Sequence, residues 1–150
     1  MDKHQLKVQV NILLSGYASA DSGGHTRPTM TLIRTGDQII LSDPGVVSNH
    51  MVIIDALKAE KLSPDDVNII FITHGHTDHT RNTGLFPMAK IIDYWGWWNG
   101  DLFEDYKQGD LGSEIDIINT PGHSYDSISM IIQTDSGIGR LYYSWSWGDV

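Results

Sequence analysis

Along the first third of the chain, apolar and polar residues alternate in short runs. Leu6, Val8, Val10 and Ile12 alternate with Lys7, Gln9 and Asn11, the period of two expected of a half-buried strand. Residues 29–34 and 38–42 predict two more strands, joined at Thr35-Gly36-Asp37 by a hairpin turn. Asp43-Pro44-Gly45 ends the second of them. Val47, Met51, Ile54 and Leu57 then recur at helical spacing and predict one buried helix face. That helix stops near Leu62, because Pro64 biases Ser63 away from helical angles.

Residues 67–73 form a nearly unbroken apolar run, interrupted only by Asn68, as in a strand covered on both faces. Loop and a short helix are expected over 74–87, and a short strand over 90–93. Between Tyr94 and Asp110 aromatic and acidic residues obscure any period. Further strands are expected over 115–119, 127–134 and 140–147, the last two joined by a turn at Asp135-Ser136-Gly137. Hairpins, one long helix and a strand buried on both faces predict an α/β layered domain rich in antiparallel strands. No repeat, linker or biased tract divides the chain, so residues 1–150 are expected to form one unit.

Composition narrows the function. Cysteine is absent, which excludes disulfide scaffolds, thiolate metal sites and cysteine nucleophiles. Nineteen acidic residues against ten Lys and Arg give a net charge of -9, unsuited to long nucleic acids or anionic membranes. No apolar stretch approaches a membrane span and the N-terminus lacks the build of a signal peptide, so a cytoplasmic location is the expectation.

Chemistry concentrates in His74-Gly75-His76-Thr77-Asp78-His79, directly after the apolar run. In extended chain, residues i and i+2 share a side and are separated by roughly 6.6–6.8 Å, so His74 and His76 can converge on one metal. Asp78 and His79 lie past a turn and can serve a second, neighbouring position. Imidazoles and carboxylates without thiolate suit zinc, and also iron or manganese. Thr120-Pro121-Gly122-His123 closes another predicted strand and offers a third imidazole, enough for a three-histidine zinc with an open position. Gly148-Asp149, again after a β-rich run, offers a carboxylate that can bridge two metals.

These motifs resemble those of the metallo-β-lactamase superfamily over about residues 29 to 150. Asn82-Thr83-Gly84-Leu85-Phe86-Pro87 further resembles the branch of metallo-β-lactamase domain-containing proteins. The resemblance implies an αββα sandwich, of which this chain would supply the N-terminal two-thirds. It implies that His74, His76 and His123 bind a first metal, and Asp78, His79 and a bridging Asp149 a second. Asp43 matches a position that supports the metal loop. The family's further histidine after the bridging Asp has no counterpart, since the sequence ends one residue beyond Asp149. The domain is therefore expected to be incomplete at its C-terminal end, or its second site to be defective or completed by a partner chain.

The activity so implied is a zinc-dependent hydrolase with one or two zinc ions per chain, iron or manganese being possible substitutes. Three-histidine zinc lowers the pKa of its water to about 7, and Asp78 would orient the resulting hydroxide or accept its proton. The substrate is expected to be a small ester, thioester, lactone or related molecule. A metallo-nuclease or phosphodiesterase is the alternative, with Arg27, Arg81, Lys90 and Lys107 as the basic residues expected near the site and able to meet a short RNA. A non-catalytic metal-binding or assembly module, with homo-oligomers, is the other. Tyr94-Trp95-Gly96-Trp97-Trp98 reads either as core or as a lid over an apolar substrate. Trp145 and Trp147 read as one strand face, Asp101, Glu104, Asp105 and Asp110 as a solvated face, and His4, His25 and His50 as surface residues, with His25 nearest the site mouth.

Overall fold

The computed structural model describes residues 8–19 and 24–134, and the backbone of 137–141. Its strands are β1 (Gln9–Leu14), β2 (Tyr17–Ala18), β3 (Thr26–Arg27), β4 (Met30–Arg34), β5 (Ile39–Ser42), β6 (Ile69–Phe71) and β7 (Lys90–Asp93). They continue with β8 (Gly96–Asn99), β9 (Leu102–Glu104), β10 (Ile115–Asn119), β11 (Ile128–Thr134) and β12 (Gly137–Leu141). Two α-helices intervene, α1 (Met51–Ala59) and α2 (Thr77–Thr80). The main sheet has seven strands in the order β1-β4-β5-β6-β7-β8-β9. Strand β6 pairs parallel with both β5 and β7, and every other pair is antiparallel. A second sheet holds β10-β11-β12, and β2 and β3 form a small ribbon.

The alternation of β6 explains the layering. Ile69 and Phe71 face one core, with Ile33, Ile40 and Ile92 from the main sheet and Ile115, Ile128 and Met130 from the second sheet. Ile70 and Ile72 face the other, with Leu32 and Leu41 beneath Ile53 and Leu57 of α1. The described residues thus form three successive layers, α1, main sheet and second sheet, of the layered α/β architecture expected. None of their helices is long and apolar enough to cross a membrane. The residues expected to form a strand over 142–147, including Trp145 and Trp147, lie outside the described residues, as do His4 and Asp149.

Three sequence expectations shift. Ile12, expected to face inward, is 66% exposed on the edge strand β1, and a bulge between Ile12 and Leu14 then brings both Leu13 and Leu14 against the α1 core. The helix begins at Met51 and buries Ile53 and Leu57, whereas Met51 is exposed. Val47 lies before the helix and packs against the same core, so of the four expected positions Leu57 alone is a fully buried helix residue. Finally, the stretch without a period holds β8 and β9, which extend the main sheet at an exposed edge.

The end of α1 carries a testable strain. Leu62 N–H donates to Leu57 O and Lys61 N–H to Lys58 O, each at 2.9 Å, the paired bonds of a Schellman ending. Its left-handed position is Lys61, with φ 61°, where glycine carries no Cβ penalty. Lys61→Gly is expected to stabilise the chain by about 0.5–1 kcal/mol and raise Tm by roughly 1–4 °C in thermal melts.

Candidate metal centre

Strands β5, β6 and β7 end on one edge of the main sheet, where β11 of the second sheet also begins. Ile128 N–H at the start of β11 donates to Thr73 O at 2.8 Å, joining the two sheets where β6 runs out. Beyond this junction the loop carrying His74 and His76 meets the loop carrying His123. One ring nitrogen from each of these three residues lies within 4.8 Å of the others. His74 Nε2 is 2.9 Å from His76 Nδ1, and His123 Nε2 is 3.0 Å from that same atom.

The protonation pattern follows from the partners on the far side of the rings. Asp43 is fully buried, and its carboxylate accepts Thr73 N–H and the Thr73 hydroxyl, both at 2.8 Å. Having donated its one hydrogen to Asp43, the Thr73 hydroxyl can only accept from His74 Nδ1, 3.2 Å away. His74 Nε2 is then bare and points into the cluster. Burial, followed by the neighbouring His79, His76 and His123 rings, pushes the His74 pKa down to about 4, so the ring is neutral at pH 7. A bare Nε2 cannot donate to His76 Nδ1, and a single Nδ1 site cannot satisfy both neighbours at once. Lone pairs converging this closely match what a cation with zinc's taste for imidazole would accept, so the donor set fits such an ion.

His79 is also buried, beside this group. Its Nδ1 lies 3.1 Å from Asp43 Oδ2, and its Nε2 lies 3.8 Å from Asp78 Oδ2. Burial lowers its pKa, but the hydrogen bond and charge of Asp43, aided by Asp78, outweigh that and raise it. Asp43 thus fixes the Nδ1–H tautomer and leaves Nε2 facing Asp78, the second-sphere arrangement common at metal sites. The Thr26 hydroxyl on β3 donates to Asp78 Oδ2 at 2.9 Å. Asp78 and His79 therefore lie together, adjacent to the three-histidine cluster.

Backbone contacts set the loop's position. Val46 N–H donates to Asp78 O and Asn82 N–H to Pro44 O, both at 2.8 Å, and Asn82 Nδ2 donates to Gly45 O at 2.6 Å. A Cβ at Gly45 would collide with Asp78 O, so only glycine allows the two segments this approach. On the other side, Asp126 accepts Gly75 N–H at 2.9 Å through Oδ2 and the Ser124 hydroxyl through Oδ1. Burial raises its pKa, but these two donors more than offset that and hold the carboxyl below its usual range. Asp126 ties the His74-His76 loop to the His123 loop.

Asp126, Thr73 and Thr26 were not singled out in the sequence, where nothing in their local pattern marks them. His25 is exposed, one residue before Thr26. His50 is exposed at the start of α1. Arg27 lines a small cleft with Asp78, His79 and His123. Lys90 and Lys107, expected near the site, instead border a groove of about 860 Å³ with Gln38, Asn68 and Trp97, at the opposite ends of the strands. Asp101, Glu104, Asp105 and Asp110 are exposed, as expected.

Replacing Thr73 with Val keeps the side-chain shape and the backbone bond to Asp43 but removes the acceptor for His74 Nδ1–H. Affinity for a divalent metal ion, measured by chelator competition, is expected to fall about 10–100-fold, the range for changes behind a ligand.

The model of the metallo-β-lactamase superfamily matches residues 23–96. Metallo-beta-lactamase domain-containing protein 1 of Xenopus laevis is 30% identical over 133 residues, covering 82% of this chain and 56% of that protein. A protein of Methanocaldococcus jannaschii named "Probable metallo-hydrolase" is 38% identical over 95 residues, covering 61% of this chain and 45% of its own length. The chain thus spans about half the length of these curated relatives. Among solved structures, an N-acyl homoserine lactone hydrolase with N-hexanoyl-L-homoserine at its catalytic metal centre superposes with a TM-score of 0.64 and 18% identity, covering 90% of this chain and 74% of that one. With matching layers, a matching sequence model and related curated sequences, the chain belongs to the metallo-β-lactamase superfamily.

Proposed function

We propose that the chain is, or is part of, a zinc-dependent hydrolase of small esters, thioesters or lactones, in which His74, His76 and His123 hold the first metal. The observation that carries this reading is the convergence of His74 Nε2 and His123 Nε2 on His76 Nδ1, which hydrogen bonds alone cannot satisfy. Asp78 and His79 would supply the second position, with Asp149 as the bridging ligand that the family resemblance implies. Zinc would supply a nucleophile at neutral pH and a Lewis acid for the scissile carbonyl. Iron and manganese suit the same donors.

The chain's own residues then divide the remaining work. Asp78, held through Oδ2 by Thr26, retains Oδ1 to orient the attacking water and accept its proton. Passing that proton to the leaving oxygen or sulfur completes the addition of water across the acyl bond. Asp43 and Thr73 hold the imidazole tautomers, and Asp126 holds the two loops at their spacing. The lactone hydrolase among the structural neighbours supports an acyl substrate.

The test combines elemental analysis with a panel of ester, thioester, lactone and phosphodiester substrates, run on zinc-loaded wild type and His123→Ala. Bound zinc with acyl hydrolysis that disappears in the variant is the expected result. Zinc binding with equal background turnover in both proteins would replace this reading with a metal-binding module. Phosphodiester cleavage alone would replace it with a nuclease.

A further inference from the structure

Beside the histidine cluster, on the α1 side of the main sheet, lies a cavity of about 310 Å³. Ile72 and Ile91 line it with the rings of Tyr94, Trp95 and Trp98, while His74, Gly75 and Asp126 border it toward the cluster. Tyr94 and Trp95 come from the turn between β7 and β8 and Trp98 from β8 itself, where the two alternative readings of the aromatic stretch divide. Trp97 packs on the inter-sheet core with Tyr106, whereas Trp95 is 58% and Trp98 37% exposed. Tyr94 meets Trp95 edge-on at 5.0 Å and Tyr125 at 6.2 Å, extending an aromatic rim toward the His123 loop.

The cavity's charge is one-sided. Asp93 and Asp126 line it, and among the described residues no Lys or Arg does. Among the described residues Asp93 receives neutral donors alone, Trp95 N–H at 2.9 Å, Gly96 N–H at 3.3 Å and Trp98 Nε1–H at 3.1 Å. Asp126, on the cluster side, would share its charge with a bound metal. Asp93, held wholly by the hairpin turn, keeps its charge for the far end. A carboxylate among aromatic rings in an apolar recess is a setting that attracts cations through both Coulomb and cation–π terms. The same recess repels anionic groups.

We propose that this cavity is a substrate subsite for an alkylammonium group, seated between Trp95, Trp98 and Asp93, so that the hydrolysed acyl compound is cationic. The volume lies at the lower end of the range for ligand sites and suits one small group rather than a whole cofactor. The inference rests on the hydrolase reading, since it assigns the far end of the substrate whose acyl bond the histidine cluster faces.

Two measurements on the zinc-loaded protein test it. Choline and its uncharged isostere 3,3-dimethylbutanol are titrated against tryptophan fluorescence, and the acetate esters of both are compared for kcat/KM. Choline is expected to quench saturably where the isostere does not, and its ester to be preferred about tenfold, with the difference in KM and diminishing at high salt. Asp93→Asn and Trp98→Leu should each remove most of that preference, by raising KM for the choline ester toward that of the uncharged one, while leaving the zinc content unchanged. Equal quenching and equal turnover of the two compounds would overturn the subsite and leave the hydrolase standing. Choline quenching sensitive to both variants, with neither ester hydrolysed, would support cation binding and remove the hydrolase reading. A preference for the uncharged ester would overturn the proposal.

Discussion

His76→Ala is expected to lower the bound metal by about one ion per chain and, on the proposed hydrolase reading, bring acyl hydrolysis to background, because His76 Nδ1 is the atom on which both other cluster nitrogens converge. The loss of affinity should exceed the 10–100-fold of Thr73→Val, since a ligand itself disappears rather than the group behind it. Stability separates this from general damage. The His76 side chain is exposed, so its truncation should move the metal-free chain by no more than about 0.5 kcal/mol. Removing one of three crowded, unsatisfied nitrogens even favours a small gain. With zinc at a hundred times Kd, wild type should gain about 2.7 kcal/mol by mass action, and the variant almost none at the same concentration. Melts with and without chelator check this: curves nearly superimposed without zinc and separated with it are expected. A variant equally unstable in both would place His76 in the fold rather than at an ion.

Asp43→Ala is expected to have the opposite character, a large loss of stability whether or not metal is present. One buried carboxylate accepts from Thr73 N–H, the Thr73 hydroxyl and His79 Nδ1. Its removal leaves the buried Thr73 N–H without its acceptor and takes the charged partner from a ring whose raised pKa depended on it, with only the Thr73 hydroxyl, 3.3 Å from His79 Nδ1, to replace it. About 3–5 kcal/mol is the scale for breaking such an arrangement, a large fraction of the 5–15 kcal/mol that holds a typical domain. Asp43 also has φ 44°, which alanine adopts less readily than aspartate or asparagine. Asp43→Asn should therefore lie between wild type and alanine in urea denaturation, retaining one acceptor and the backbone geometry. If alanine gives no soluble protein, the asparagine variant still measures the lost charge. A loss below about 1 kcal/mol in both would show that the Asp43 bonds carry little.

Much of this arrangement was legible because its signals are local. The run ending at Thr73 marks β6 as buried on both faces, and a parallel central strand deposits its following loop at the sheet edge where such sites form. His74, His76 and His123 could be named because each sits where a strand becomes a turn. The supporting residues could not. Thr73 ends the run before the loop, and Asp126 looks like any aspartate in a polar turn. Their importance comes from contacts 30 and 51 residues away in sequence. Likewise β8 and β9 escaped notice because an exposed edge hairpin buries too little to impose a period of two. The expected face of α1 holds at Leu57 but not at Met51, which is exposed, because Ile53 rather than Met51 or Ile54 turns into the core with it.

The close approach at Gly45 has a consequence for the life of the centre rather than its chemistry. The contacts that fasten residues 44–46 to Asp78 and Asn82 use main-chain groups and one amide side chain, with no ion among them. A small zinc finger collapses when stripped, because its metal is its core. Here two layers of apolar side chains and this backbone clasp stand without the ion, so chelation should leave an ordered vacancy. Loss and return of the metal are then ligand-exchange events on a folded scaffold. The chain can sample whichever divalent ion its surroundings supply, without refolding between one occupant and the next.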